Sequence, residues 1–237
     1  MRSRVVVSCH AERLLDDGVW SRLVAFRPGL RIAMLIRPPE PGENEELWLE
    51  RAREVAAHGP FGLHTHFVDA RHARPPGAAP EHGARVRAQV EWMREQGLEP
   101  RFFCGGGWFI DEGVARVVAE LGLTDCTATA FRPSYLLAGA PRLQLERPAR
   151  VRLDERTDFL ELPSTHSIGA AARATVQRLR LPVLHVYFHD TDLLDARRTL
   201  ALRTALSILR RRCAPTDLDV LAAQGATEVA VATLARP

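Results

Sequence analysis

Four short stretches gather most of the side chains able to do chemistry: Ser8 to Glu12 (SCHAE), Leu63 to His66 (LHTH), Phe102 to Trp108 (FFCGGGW) and Tyr187 to Asp192 (YFHDTD). Each follows or ends an apolar run of strand length. His64 and His66 are separated by one residue, so on an extended strand they project from one face, and at a strand end both imidazoles can reach one ion. Glu12 completes a three-ligand site with a position left for water. Imidazole and carboxylate suit zinc best among divalent transition metals of similar preference, without distinguishing sharply between them. Such a site polarises a carbonyl and acidifies a water, which is the chemistry of hydrolysis.

His189 ends the apolar run PVLHVYF and precedes DTDLLD. An imidazole that titrates near neutral pH there suits general acid work on a leaving amine. The competing reading is a helix start in which Asp190 and Asp192 stabilise the N-terminal turn. The triple glycine Gly105 to Gly107 allows close backbone approach, and the indole of Trp108 behind it offers a flat platform for a sugar ring; a plain tight turn explains the same residues. No dinucleotide or Walker pattern is present. His58 and His82 read as surface or satisfied core residues.

These stretches need elements to hold them in register. Apolar runs alternate with longer amphipathic segments, the pattern of βα units around a mostly parallel sheet or barrel. Strands are expected at Arg4 to Ser8, Arg31 to Ile36, within GPFGLHTHF, at the start of RFFCGGGWF, at Thr124 to Thr129 and in PVLHVYF, with two short ones around Gln144 and Phe159. Helices are expected at Val19 to Phe26, Glu45 to His58, Ala84 to Gln96, Glu112 to Leu121, Ala170 to Leu179 and Ala196 to Arg212. In a parallel barrel, side chains at the C-terminal strand ends converge on one rim. All four chemical stretches sit at such ends.

Composition narrows the classes. With 46% hydrophobic residues the chain can bury a full core, and its 237 residues suit a single domain spanning residues 1–237. All 32 basic residues are arginine, and 29 acidic residues leave a net charge of only +3, which argues against a nucleic-acid partner. No run approaches a membrane span, and the short apolar N-terminal strand lacks the features of a signal peptide, so no membrane partner and a cytoplasmic location are expected. Cys9, Cys104, Cys126 and Cys213 form no paired motif, so neither a zinc knuckle nor a disulfide framework is indicated.

In order and content, these segments from Val5 to about Asp195 resemble those of the polysaccharide deacetylase (NodB-homology) family, carbohydrate esterase family 4 and its relatives. The resemblance implies an irregular (β/α)7-type barrel of mostly parallel strands, a divalent metal and removal of an N-acetyl group. In that family the first strand ends in two acidic residues, a base and a ligand. Here SCHAE puts His10 in the base position and Glu12 in the ligand position. GLHTHFV supplies His64, but Val68 stands where the second histidine would fall four residues later, so His66, or His72 in the following loop, must take that place. Cys104 occupies the position of an arginine that orients the base. Asp125 and His189 look like the fourth and fifth segments, with His189 in the catalytic-histidine role. The Asp16-Asp17-Gly18 run resembles the acidic pair superficially, but lies beyond the strand where a helix cap is expected.

The implied mechanism has a metal on Glu12, His64 and His66, His10 as base or as an additional ligand, His189 as acid, and Trp108, Asp125 and Arg132 lining the site of a small or sugar-conjugate substrate. Since the departures fall on the acidic base and its arginine, a different hydrolysis or a lyase step, or a catalytically silent carbohydrate-binding protein, are the alternatives. The oligomeric state is not legible.

Overall fold

The computed structural model describes residues 2–69, 72–75, 77–133, 142–177, 180–232 and 234–236. Its strands are β1 (Arg4–Ala11), β2 (Ile32–Ile36), β3 (Phe61–Thr65), β4 (Phe102–Gly105), β5 (Thr124–Asp125), β6 (Ala149–Arg152), β7 (Asp158–Glu161), β8 (Val183–His189), β9 (Ala214–Pro215) and β10 (Val229–Val231). The helices are α1 (Asp17–Ala25), α2 (Glu45–Ala56), α3 (Pro80–Glu95), α4 (Glu112–Glu120), α5 (Ile168–Ala174), α6 (Ala196–Arg212) and α7 (Leu218–Gln224). Asp16, Asn44, Asp111, Ser167, Asp195 and Asp217 cap six of them by accepting a backbone N–H through the side chain. The Asp16 cap gives the Asp16-Asp17-Gly18 run its structural role.

The strand order is β10-β6-β7-β5-β4-β3-β2-β1-β8, with β9 beside β1. Every pairing is parallel except β6 with β7. The residues after β7 form a seam that joins the β5 side of this path to its β8 end. Leu162 and Ser164 donate to the carbonyls of Asp125 and Ala128 on one side. Thr165 and His166 donate to His185 on the other, and Tyr187 donates back to His166. The result is a barrel-like, mostly parallel α/β fold whose seam is a single bridge, His166 to Val186, in place of a ladder.

Period-2 alternation sorts the strand residues into two packed layers. Val5, Val7, Cys9 and Ala11 of β1 face outward into a core shared with the helices, together with Leu184, Val186 and Phe188 of β8. Val6, Ala33, Leu35, Phe102 and Cys104 face inward, where Leu218 and Leu221 of α7 join them. Asp217 pairs with Arg31 and Asp219 with Arg101, residues that immediately precede β2 and β4, so α7 seals the N-terminal mouth. Burial of each such leucine contributes about 2 kcal/mol. Polar inward residues are thereby confined to the middle and the C-terminal rim.

Some expected elements differ. The strand expected at Thr124 to Thr129 stops at Asp125, because the Asp125 carboxylate captures the Thr127 N–H (3.0 Å) in place of a ladder bond. Gln144 makes only an isolated bridge to Thr129, and the strand of that region is β6. Elements β9, α7 and β10 extend the fold past the last expected helix. The expected helix end at Leu179 lies outside the described residues. Among the described residues no helix is long and apolar enough to cross a membrane.

Candidate metal centre

Strand β1 runs three residues further than expected, so His10 is still in the ladder and Glu12 lies just past its end. His10 and Glu12 share the inward face of β1 by alternation, and His64 and His66 share that of β3. The Glu12 Oε1 atom lies 3.2 Å from His66 Nε2, 3.6 Å from His64 Nε2 and 3.7 Å from His189 Nε2. The three residues Glu12, His64 and His66 can each present a ligand atom within 4.8 Å of the others.

Hydrogen bonds settle which imidazole atoms face the carboxylate. His64 Nδ1 lies 3.1 Å from the carbonyl of Cys104, and His66 Nδ1 lies 3.2 Å from that of Asp69. A carbonyl only accepts, so each Nδ1 donates and each Nε2 is turned toward Glu12. A second proton on His64 would make a buried imidazolium, which burial disfavours by pushing its pKa down. Burial alone would raise the Glu12 carboxyl, yet contact with His64 and His66 and the nearby His189 hold it well below the usual carboxylate range, so it is ionised. The His66 Nε2 atom is within hydrogen-bond distance of the Glu12 carboxylate (3.2 Å), and the buried His64 Nε2 has no hydrogen-bond partner among the described residues. The donor set and its geometry fit a divalent cation.

The surrounding shell fixes Glu12 from two sides. The Arg37 guanidinium, buried at the end of β2, donates to the Glu12 carbonyl (3.1 Å) and to the Glu43 carboxylate (2.9 Å). Asp190, fully buried after β8, accepts from the Arg13 N–H at 2.8 Å and ties the chain beside Glu12 to the turn after His189. Asp192 accepts the His189 N–H at 2.9 Å. The DTD segment starts the turn after β8, as the helix-start reading expects, and its carboxylates also tie the rim together. Sequence reasoning missed Arg37 and the anchoring role of Asp190, because neither contact is local in the chain.

The triple glycine has a specific structural cause. A Cβ at Gly106 would come within 2.8 Å of His66 Cδ2 and 2.9 Å of the Thr65 carbonyl, and one at Gly105 within 1.9 Å of the Phe109 carbonyl. The glycines let this turn press against a candidate ligand. Gly107 and then Trp108 adopt positive φ, 63° and 61°. For a tryptophan this conformation costs about 1–2 kcal/mol, held by the ring's packing at 5.4 Å from His10 and 4.8 Å from Tyr187.

His10 is buried, stacks on His64 with centroids 4.7 Å apart, and its Nε2 has no hydrogen-bond partner among the described residues. Burial, then the neighbouring His64 and His189, push its pKa down, so it is neutral. His189 remains 35% exposed at the rim. Asp125 is fully buried; its Oδ1 accepts from Thr127, and its carboxyl faces that of Glu161. Burial raises both pKa values, and the neighbouring Asp125 raises that of Glu161 further. That places Asp125 under the site and not on its surface. Arg132 is exposed, next to Phe131, whose ring stacks on Tyr187 at 5.7 Å. His72 pairs with Asp69 on the exposed loop, away from Glu12, which leaves His66 as the second imidazole of the cluster. His82 is a satisfied core histidine, 2.8 Å from Asp111. All four cysteines are buried and unbridged.

No family model and no curated protein matches the sequence. Solved structures do match. A protein assigned as a polysaccharide deacetylase from Mycobacterium smegmatis aligns over 100% of this chain and 94% of its own, with TM-score 0.65 and 15% identity. A 4-α-glucanotransferase from Thermococcus litoralis aligns over 99% of this chain but 42% of its own, at TM-score 0.63 and 11% identity. A carbohydrate esterase family 4 pseudoenzyme from Bacillus anthracis aligns over 98% of this chain and 70% of its own, at TM-score 0.53 and 9% identity. At such identities the likeness is one of fold: this chain has the barrel-like α/β fold that these structures share.

Proposed function

We propose that this chain is a metal-dependent hydrolase that removes an N-acetyl or similar acyl group from a small, sugar-containing substrate. One observation carries the proposal: the ionised Glu12 carboxylate and the Nε2 atoms of His64 and His66 converge within reach of one cation, with the buried His64 Nε2 left without a hydrogen-bond partner among the described residues. These three residues would hold a divalent ion, zinc by ligand type. When bound, the ion supplies polarisation of the scissile carbonyl and a more acidic water.

The chain's own groups supply the proton transfers. His10, neutral and with an uncommitted Nε2, accepts the proton of the attacking water. His189, beside His10 with ring centroids 5.3 Å apart and partly exposed, donates to the departing nitrogen. Its backbone bond to Asp192 keeps it in place. Trp108 lines the site through its ring, Asp125 supports the floor from below, and Arg132 reaches the rim. Loss of a general acid lowers turnover about 100- to 10,000-fold.

A second reading has its own observation. A buried histidine stands where the resemblance implies an acidic base, and a pseudoenzyme shares the fold. On this reading the chain binds a carbohydrate without turning it over.

Acetate release from a panel of N-acetylated amino sugars by zinc-loaded protein separates the two. The hydrolase reading expects release that falls at least about 100-fold in His189→Ala with zinc retained. Zinc binding without release from any substrate favours the silent reading.

A further inference from the structure

One wall of the metal centre is also the wall of a second space. His189, 3.7 Å from the Glu12 carboxylate, borders a groove of about 540 Å³ whose other lining includes Ser167, Tyr187, Asp192, Arg197 and Arg198. That volume falls in the range of small-ligand sites. The geometry points to a subsite for an anionic substituent of the substrate, a phosphate or a carboxylate, recognised by Arg197 with Arg198 beside it. This inference rests on the hydrolase reading and names the substrate class within it.

The argument is one of charge accounting along α6. Three of its six arginines are committed elsewhere. Arg203 lies over the Phe26 ring, Arg212 donates to the carbonyls of Ala174 and Gln177, and Arg198 pairs with Asp192. The Arg197 guanidinium makes no ion pair or hydrogen bond among the described residues, although its backbone N–H joins the Asp195 cap at 2.8 Å. Within the groove Arg198 offsets Asp192, which leaves the charge of Arg197 unbalanced. A planar guanidinium presents paired donors that match a phosphate or carboxylate, and a second one adjacent widens the cradle.

The remaining wall suits the sugar that would carry the anion. Burial pushes the Tyr187 phenol up to about 12, so its hydroxyl stays protonated and able to donate. The Tyr187 ring, which lines the groove, packs on Trp108 and Phe131 behind it. An amino sugar whose acyl nitrogen lies near His189 would direct a charged substituent toward α6. A neutral polysaccharide has no group for that position.

The test uses zinc-loaded full-length protein and products that are not turned over. Calorimetry compares glucosamine, glucosamine 1-phosphate, glucosamine 6-phosphate and muramic acid. At least one charged ligand is expected to bind about tenfold or more tightly than glucosamine, and Arg197→Glu is expected to remove that preference with zinc content unchanged. Whether a phosphate or muramic acid binds best identifies the anion. Equal affinities throughout, no binding of any charged ligand, or a preference that survives Arg197→Glu would overturn the subsite. Absence of acetate release from every acetylated counterpart, with the Arg197-dependent preference intact, would remove the hydrolase reading and leave the subsite standing.

Discussion

Two inward-facing histidines, His185 on β8 and His64 on β3, are equally buried and opposite in consequence. His185 has a partner at both nitrogens: Nε2 lies 2.8 Å from Ser8 Oγ and Nδ1 lies 3.2 Å from the Leu162 carbonyl. His64 spends Nδ1 on the Cys104 carbonyl and turns Nε2 toward an ionised carboxylate. A buried polar atom without a partner costs stability, so the first histidine is a finished piece of core and the second is a site in waiting. The contrast also follows height in the barrel, from the apolar plug of α7 through the Ser8–His185 pair to the electron-rich rim.

The largest expected effect lies at the rim. His64→Ala should weaken zinc binding by more than about 100-fold, beyond what loss of a supporting hydrogen bond costs, while the fold is kept; zinc content after dialysis checks it. His185→Ala should do the reverse. It removes a buried ring and strands the Ser8 hydroxyl and the Leu162 carbonyl, costing about 3 kcal/mol in denaturant unfolding with zinc content unchanged. If each variant showed the other's phenotype, the distinction between the two histidines would fail.

Protonation sharpens the same contrast. Burial holds the His185 pKa at about 4, below its ordinary value. The unfolded chain therefore takes up the proton first. The stability from keeping His185 neutral is fully present above about pH 6.5 and is lost as pH falls through about 4. Across that window the apo protein should lose roughly 3 kcal/mol from this group alone. A His185→Gln variant should show a shallower pH slope in unfolding midpoints, and an unchanged slope would assign the acid sensitivity elsewhere. Smallest is Asp190→Asn, which keeps the side-chain shape but weakens the grip on the Arg13 N–H beside Glu12. Zinc affinity should fall about tenfold, and no change would remove Asp190 from the anchoring role.

The same two histidines show what the chain discloses before folding. The HTH spacing makes His64 and His66 visible as a pair, since alternation on a strand is a local rule. Glu12 is visible as a carboxylate at another strand end. His185 was invisible as anything but part of PVLHVYF, because its partners come from β1 and from the turn after β7. The polar SCHAE stretch read as a strand end, yet β1 continues through His10 because the barrel interior there is itself polar. Asp125 followed the family order to a substrate-lining place, but its carboxyl is turned into the core against Glu161. Helix α7 escaped notice for a related reason: seven residues carry too little periodicity, and its leucines make sense only as a plug for a mouth formed by distant strands.

The central claim is that one divalent ion sits on Glu12, His64 and His66. An adjacent grouping, His10, His64 and Cys104, could also bring its ligand atoms within 4.8 Å of one another, and it differs by a sulfur. X-ray absorption at the zinc edge of the loaded protein separates them. The account predicts one zinc per chain with nitrogen and oxygen neighbours at about 2.0–2.1 Å and the outer scattering of two imidazoles. A sulfur neighbour at about 2.3 Å, or no zinc retained, would contradict it.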